Sequence, residues 1–234
     1  MTPTPPTTPS SPRGPALSPD TAPATSPAPL ATTFPAPPAP GPRTRLDCGG
    51  ALALRPWRAE TDLTPLLALI DASLDHLRPW MPWASEQSPE RTRAFLADCD
   101  PLWEAGDAYN YAITTPPDGT LTGSCSLYRA PEGSPAARLL GYWLHPAATG
   151  RGLATRAAAA LVTEAFTTLP GVAHVEIAHD AANTASAAVP RRLGFTEHRR
   201  QPTPPPRAPG DSGTDVVWRI ERGAWAPGDA RRGA

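Results

Sequence analysis

Hydrophobic positions along this chain follow two repeats in turn, one of two residues and one of three to four, and therefore predict both strands and helices. The first alternating run, Ala51–Arg55, predicts a strand. Apolar residues at helical spacing then predict an amphipathic helix over 63–76 and a second helix over 89–103. Between these helices lies a connector rich in proline and tryptophan, Leu77–Trp83.

The following part of the chain predicts a strand meander and then a strand–helix–strand unit. The predicted strands cover 109–114, 121–129, 139–145, 172–179, 195–200 and 215–221, and the predicted helices cover 152–167 and 183–193. The sequence Pro-Pro-Asp-Gly at 116–119 is a hairpin signal between the first two of these strands. This order predicts an α+β fold with a mixed, mostly antiparallel sheet of six to seven strands and about four helices.

Composition changes sharply near residue 43 and sets the expected domain bounds. Residues 1–43 are almost wholly Pro, Ala, Thr and Ser. Such a segment buries too little apolar surface to offset its ordering entropy, so we expect a disordered tail or a Pro-x-x-P ligand for a partner. The folded domain is expected over 44–225, with a flexible tail at 226–234. A second proline cluster, Pro202–Pro209, is interpreted as an extended loop inside the domain.

Charge and cysteine content exclude several classes of protein. The net charge of −1 gives no reason to expect a nucleic-acid or membrane-surface partner. The three cysteines are scattered without a Cys-x-x-Cys pair, which argues against a zinc site and for a reducing compartment. No apolar run has the length of a membrane span and no secretory signal is evident, so a cytoplasmic protein is expected.

The loop Thr149–Ala154 carries the strongest chemical signal. Gly150 and Gly152 lie one residue apart, directly before an alanine-rich helical segment. Backbone N–H groups left uncovered at a helix N-terminus form a nest for a phosphate. One alternative is that the glycines only end a strand and begin a helix. Another is a dinucleotide fingerprint, but that motif needs a small, close-packing residue where this chain has Thr155.

Three motifs in this order resemble one known family. They are the loop Thr149–Ala154, the segment from Asn183-Thr184-Ala185-Ser186 to Leu193-Gly194-Phe195, and the connector Leu77–Trp83. Over about residues 45–225 the chain resembles the GNAT superfamily of acetyl-coenzyme A dependent N-acetyltransferases. More narrowly, it resembles the Rim-type branch that acetylates the N-termini of ribosomal proteins. The resemblance implies a sheet that splays around the bound acetyl-coenzyme A.

The resemblance also implies a cofactor site, with no metal. The implied cofactor-binding residues are Leu144, Thr149, Gly150, Arg151, Gly152, Leu153, Ala154 and Asn183. The loop N–H groups would bind the pyrophosphate, and Asn183 the pantetheine arm. The family normally has Gln or Arg where this chain has Thr149, and Arg151 or Arg156 is an alternative source of positive charge.

For catalysis, the resemblance implies that Ser186 protonates the leaving thiolate, and that the N–H of Trp143 or Leu144 polarises the thioester carbonyl. The alternative for Asn183 and Ser186 is a helix N-cap. Related sequences often carry a Glu where this chain has Leu139. The remaining candidates for a general base, besides a water chain, are Glu86, Glu104, His145 and His179.

The acceptor is expected to be a primary amine, either the N-terminal α-amine of a protein or a small molecule, which attacks directly in a ternary complex. Trp80, Trp83 and Trp143 are the candidate acceptor-binding residues, although the first two could instead cover the edge of the core. No acidic cluster that would select a polycationic aminoglycoside is present. A monomer or homodimer is expected. The alternative function is an acetyl-coenzyme A binding module with little catalysis, which the departures at Thr149 and Leu139 keep open.

Overall fold

The computed structural model describes residues 41–42, 44–49, 52–115, 119–130 and 134–226. The N-terminal tail predicted up to residue 43 lies outside the described residues except for residues 41–42, and the C-terminal tail lies outside them except for Ala226. The strands are β1 (Leu46–Asp47), β2 (Ala53–Pro56), β3 (Ala108–Thr115), β4 (Thr120–Arg129), β5 (Ala137–Leu144), β6 (His174–Asp180), β7 (Thr196–Pro202) and β8 (Thr214–Glu221). The α-helices are α1 (Ala59–Asp71), α2 (Leu74–Leu77), α3 (Pro89–Ala105), α4 (Leu153–Thr168) and α5 (Thr184–Arg192). Short 3₁₀ helices cover Pro82–Ser85, Pro146–Ala148 and Arg222–Ala224.

The described strands form one sheet in the order β1-β2-β3-β4-β5-β6-β8-β7. Its neighbouring strands pair antiparallel except β5 and β6, which pair in parallel around α4. The predicted α+β class with a mixed, mostly antiparallel sheet is confirmed. The predicted count of six to seven strands is too low, because β1 has only two residues and no alternating pattern to reveal it.

Helix α4 forms the centre of the larger core. Most of its buried positions are alanine, leucine or valine, and Ala157, Ala158, Leu161, Val162 and Ala165 are fully buried in the larger core. Small alanine side chains let the helix axis lie close to the strands. A second, smaller core lies around Trp57, Leu66 and Leu96, where α1 and α3 contribute their apolar positions.

The helix predicted over 63–76 has different ends. Helix α1 begins at Ala59, because the Asp62 carboxylate accepts the Arg58 backbone N–H at 2.8 Å and stabilises a first turn that carries no apolar stripe. The helix ends at Asp71, and the short helix α2 follows a break in which the Ser73 hydroxyl donates to the Leu69 carbonyl. The apolar residues keep helical spacing across this break. The hydrophobic pattern therefore predicts one helix where the structure has two.

The predicted splay of the sheet is confirmed between β5 and β6. Their register pairs end at Leu139 with Glu176, although β5 continues to Leu144 and β6 to Asp180. The two strands therefore separate on the side where the glycine loop follows β5. Within the described ranges, no helix is long and apolar enough to cross a membrane, and no cluster of three or more His, Cys, Asp or Glu could hold a metal ion.

Candidate active site

The loop between β5 and α4 has the backbone conformation of an anion nest. Gly150 and Gly152 have φ values of +71° and +70°, in the left-handed region that favours glycine. Helix α4 begins directly after the second glycine. Its first backbone hydrogen bond runs from the Arg156 N–H to the Gly152 carbonyl at 3.0 Å. The N–H groups of Leu153 and Ala154 therefore have no acceptor within the helix and are available to a phosphate.

Thr149 and Arg156, at this loop, form hydrogen bonds through their side chains, whereas Arg151 is exposed to solvent. The Thr149 hydroxyl donates to the Pro146 carbonyl at 2.8 Å, so it stabilises the preceding turn. Arg156 donates through Nη1 to the Gly49 carbonyl at 2.9 Å. Arg151 is exposed on the loop itself. Of the two alternative sources of positive charge, Arg151 has the more available side chain.

The edge of β5 presents backbone donors to the opening. The His145 N–H donates to the Thr122 carbonyl of β4 at 2.8 Å. Donor direction alternates along an antiparallel strand, so the Trp143 N–H also faces β4, whereas the N–H groups of Tyr142 and Leu144 face away from it. Because pairing with β6 has already ended, these two groups point into the splay. Leu144 is thus the better placed of the two predicted donors.

A cavity of about 730 Å³ opens where the two strands separate. Residues 140–143 of β5 and 177–180 of β6 form one side of its lining, and residues of α1, α3 and the Leu77–Trp83 connector form the other. The nearby residues Asn183 and Ser186 of the α5 N-terminus also line it. The cavity therefore joins the predicted acceptor residues to the predicted catalytic serine.

Ser186 is held by Tyr142 and Asn183. The Tyr142 hydroxyl lies 3.1 Å from the Ser186 carbonyl, to which it donates, and 3.2 Å from the Ser186 hydroxyl. Burial raises the pKa of Tyr142, so its hydroxyl stays protonated. Asn183 is the N-cap of α5, since its Oδ1 accepts the Ser186 N–H at 3.0 Å. Asn183 thus both caps α5 and lines the cavity. Its functional role stays a prediction.

Two of the four candidate bases are held by hydrogen bonds. His179 accepts the Trp218 indole N–H at Nε2 (2.9 Å), so its Nδ1 carries the proton and donates to the Asp180 carbonyl at 2.8 Å. If Nε2 took up a proton, its N–H would face the Trp218 indole N–H, and two hydrogen-bond donors would then oppose each other. At the end of β5, His145 accepts the Ala147 N–H at Nδ1 (3.2 Å).

The carboxylate candidates lie outside the cavity lining. Glu86 pairs with Arg91 at 2.6 Å on the exposed surface, and Glu104 is exposed near the end of α3. Glu176 is the register partner of Leu139, where related sequences carry a Glu, but two arginines bind it. Burial alone would raise the pKa of Glu176, yet its hydrogen bonds with Arg199 and Arg219 hold that pKa below its ordinary value. Among the described residues, none of the four candidate bases is therefore both free of hydrogen-bond partners and on the cavity lining.

The acceptor side of the cavity is mainly aromatic. Trp80, Trp83 and Trp143 all line it, and the rings of Trp83 and Trp143 are tilted at a centroid distance of 6.0 Å. Trp83 and Trp143 also pack against the smaller core, so the two sequence interpretations of this wall are compatible. Phe95 and Tyr128, exposed at 36% and 40%, lie on the same cavity. These two exposed rings give the opening an apolar rim.

The cavity holds functional candidates that sequence reasoning missed. In the sequence, Tyr142 is only the centre of Gly141-Tyr142-Trp143, and its contact with Ser186 joins two segments distant along the chain. Phe95 is one apolar position of the helix predicted over 89–103. Asp98, one turn further along α3, is an exposed carboxylate on the cavity lining for which the described residues supply no ion-pair partner.

Comparison with known proteins agrees with this geometry. The family described as the acetyltransferase (GNAT) domain matches residues 51–196. The chain is 32% identical over 145 residues to YdaF of Bacillus subtilis (strain 168), a protein whose name assigns it provisionally to the ribosomal N-acetyltransferases; the match covers 58% of this chain and 73% of YdaF.

Solved structures share the fold at low sequence identity. A RimL ribosomal L7/L12 α-N-protein acetyltransferase in complex with coenzyme A matches with a TM-score of 0.67 at 23% identity, covering 76% of this chain and 97% of that one. Mycobacterium smegmatis RimJ in complex with a coenzyme A disulfide matches with a TM-score of 0.68 at 23% identity, covering 78% and 88%. A microcin C7 self-immunity acetyltransferase, MccE, solved with acetyl-coenzyme A and AMP, matches at 0.66 and 18%, covering 74% and 94%.

The fold and the family match define the class of the protein, a transferase that uses acetyl-coenzyme A as its acyl donor. The chain belongs to the GNAT acetyltransferase family and is an acetyl-coenzyme A dependent N-acetyltransferase. The predicted family is thus confirmed. The roles of the individual site residues stay predictions.

Proposed function

We propose that this enzyme acetylates the N-terminal α-amine of a protein. The single observation that carries the proposal is the cavity of about 730 Å³ that runs from the splayed strands to an exposed aromatic rim, because a chain end can enter at this rim and reach Ser186. The likeness to YdaF, whose name refers to ribosomal N-acetylation, supports the same acceptor class. The three unpaired cysteines suit a cytoplasmic site of action.

The proposed reaction is direct transfer in a ternary complex. The loop N–H groups of Gly150–Ala154 bind the pyrophosphate, and the N–H of Leu144 donates to the thioester carbonyl oxygen. The neutral amine attacks the carbonyl carbon, the carbon–sulfur bond breaks, and the amine loses one proton. The Ser186 hydroxyl donates a proton to the departing sulfur and regains one from solvent.

The proton of the amine is proposed to leave to water. The titratable residues of the described cavity lining are Arg91, Asp98, Tyr128, Tyr142, His179 and Asp180. Arg91 is paired with Glu86, both nitrogens of His179 are engaged, and the Asp180 carboxylate accepts hydrogen bonds from Ser212 and Ala182. Desolvation raises the pKa of Tyr142 and of Tyr128, whose ring is nevertheless partly exposed. Asp98 lies on the exposed side of the cavity, on α3, and its proposed role is to attract the acceptor. For this reason the rate should follow the fraction of neutral acceptor.

Asp98 and the aromatic wall are proposed to select the acceptor. The exposed Asp98 carboxylate attracts the ammonium form of an approaching amine, and the Trp83–Trp143 pair provides apolar surface for the adjoining side chain. An Asp98→Asn variant is expected to raise the acceptor KM a few-fold, mainly at low salt.

The test is a panel of acceptors with acetyl-coenzyme A, followed by thiol release and by mass spectrometry of the products. It compares N-terminal peptides with the same peptides blocked at the α-amine and with small amines of graded pKa. Acetylation of the free α-amine supports the proposal. Turnover with small amines alone would replace the protein acceptor, and binding of acetyl-coenzyme A without amine-dependent release would favour the binding module.

The same panel tests the route of the proton. With no dedicated base, the midpoint of the pH–rate profile should move with the pKa of the acceptor amine. A midpoint fixed at one pH for all acceptors would instead reveal an enzyme base.

A further inference from the structure

The loop at 203–213 connects two walls of the cavity. It joins β7 to β8 and contains the second proline cluster except Pro202, which is the last residue of β7. Within the loop, the Asp211 carboxylate accepts the Ala208 N–H at 2.7 Å, and the Asp211 N–H donates to the Ala208 carbonyl at 3.1 Å. Ala208 is also buried. These two hydrogen bonds and the burial of Ala208 hold the loop in one conformation. The loop can therefore fix the distance between the two segments that it contacts.

One contact of this loop is with the acceptor wall. The Gly210 N–H donates to the Pro79 carbonyl at 2.9 Å, and Trp80, the next residue after Pro79, lines the cavity. A Cβ added to Gly210 would lie 2.6 Å from the Pro79 carbonyl oxygen and 3.2 Å from its carbonyl carbon. These are backbone atoms of a turn with hydrogen bonds of its own, so the clash cannot be relieved by rotating a side chain.

The other contact is with the catalytic side. The buried Asp180 carboxylate, at the end of β6, accepts the Ser212 N–H at 2.9 Å and the Ser212 hydroxyl at 3.0 Å. Its other oxygen accepts the Ala182 N–H at 2.8 Å, and the Asn183 N–H donates to the Asp180 carbonyl at 2.9 Å. Asp180 therefore fixes the turn that leads into the N-terminus of α5, where Ser186 lies.

We propose that the 203–213 loop is a strap that sets the position of Trp80, on the acceptor wall of the cavity, relative to Ser186. The two positioning residues are Gly210 within the strap and Asp180, the residue of β6 to which the strap binds. The proposal rests on the proposed function, since the wall is taken to bind the acceptor. The strap does not contact the glycine loop at 149–154 in any described hydrogen bond, and Gly210 contacts the connector at Pro79. A change at Gly210 should therefore act on acceptor binding more than on acetyl-coenzyme A binding.

The test is Gly210→Ala in the full chain, with Gly171→Ala as the matched control. Gly171 has open space around an added Cβ and no left-handed φ, so its substitution changes the same atoms without a clash. We expect Gly210→Ala to raise the acceptor KM about tenfold, the size expected from losing one hydrogen bond and its packing. The Kd of acetyl-coenzyme A and the value of kcat should change less than twofold.

Hydrogen exchange gives a readout that does not depend on the acceptor. Amide exchange of the connector around residues 79–83 should be faster in Gly210→Ala than in Gly171→Ala, with α4 unchanged. Should Gly210→Ala not fold, Ser212→Ala, which removes the hydroxyl donor to Asp180, takes its place with the same expected direction. Ser212→Thr keeps that hydroxyl and should restore the wild-type KM.

The outcomes separate the strap from the proposed function. If the wild type is active but Gly210→Ala has an unchanged acceptor KM and unchanged connector exchange, the strap is wrong. Equal weakening of acceptor and acetyl-coenzyme A binding would also overturn it, because the loop would then be only a general support. A wild type without amine-dependent thiol release would sink the proposed function, while faster connector exchange in Gly210→Ala would still support the strap.

Discussion

At the scale of single residues, the pair Tyr142 and Ser186 carries the proposed acid chemistry. The phenol donates to the Ser186 carbonyl, and its oxygen is placed to accept the Ser186 hydroxyl at 3.2 Å. This arrangement fixes the rotamer of a side chain that would otherwise be free to turn. Tyr142 comes from β5 and Ser186 from α5, so the pair also connects the two halves of the splayed site.

Replacing Ser186 with Ala should lower kcat by about 10²-fold, because a positioned proton donor contributes roughly that factor. Tyr142→Phe should lower kcat less, by about tenfold, since the serine remains but loses its orienting partner. Thiol release at saturating acetyl-coenzyme A measures both effects. Unchanged turnover of Ser186→Ala at every pH would remove its proposed role.

At the scale of elements, the β5–loop–α4 unit is the best determined part of the site. Gly152 is the N-cap of α4 with φ of +70°, and an added Cβ there meets no atom within 4 Å. Glycine is therefore required here for its left-handed backbone conformation. It is not required for lack of space, because an added Cβ would clash with no atom of the free protein. Any L side chain at this position strains the loop conformation that we propose for pyrophosphate binding.

A Gly152→Ala variant should therefore weaken acetyl-coenzyme A binding by tenfold or more, the strain of a left-handed residue being about 1–3 kcal/mol. Calorimetric titration with coenzyme A measures this effect, and Gly171→Ala again provides the unstrained control. Equal affinity of Gly152→Ala and the control would show that the loop does not bind the pyrophosphate.

The hydrophobic pattern predicts the helices and strands well and the contacts between them poorly. The motif at 149–154 could be placed between a strand and a helix because glycine spacing and helical periodicity are local properties. The engagement of His179 by Trp218 could not be predicted, since it joins residues on β6 and β8. Likewise, the Asp180–Ser212 and Pro79–Gly210 contacts join segments distant along the chain, so no local pattern contains them.

At the scale of the whole molecule, three buried carboxylates join its separate parts. Asp62 accepts two hydrogen bonds from Arg55, Glu176 is held by Arg199 and Arg219, and Asp180 binds the strap. Burial alone would raise the pKa of each carboxyl, but these hydrogen bonds hold all three pKa values below the ordinary ones. Each site therefore favours the charged form in the folded state.

Stability should accordingly fall in acid. A carboxyl whose folded pKa is depressed contributes stability above its unfolded pKa, and that contribution is lost as pH falls toward the folded pKa. We expect the free energy of unfolding to stay nearly constant from pH 7 to about 5 and to decrease below about pH 4.5, where unfolded carboxyls begin to bind protons. Urea denaturation across this range measures it, and Glu176→Gln should flatten part of the acid decrease. A profile unchanged down to pH 3 would contradict the assignment.

The proposed reaction in the splayed cavity is transfer of acetyl from acetyl-coenzyme A to a free α-amine. The most direct measurement is release of the coenzyme A thiol by the purified full chain, with an N-terminal peptide and with the same peptide blocked at its α-amine. We expect release only with the free amine, accompanied by one added acetyl group on that peptide. Equal release with both peptides, or tight binding of acetyl-coenzyme A without release, would contradict it.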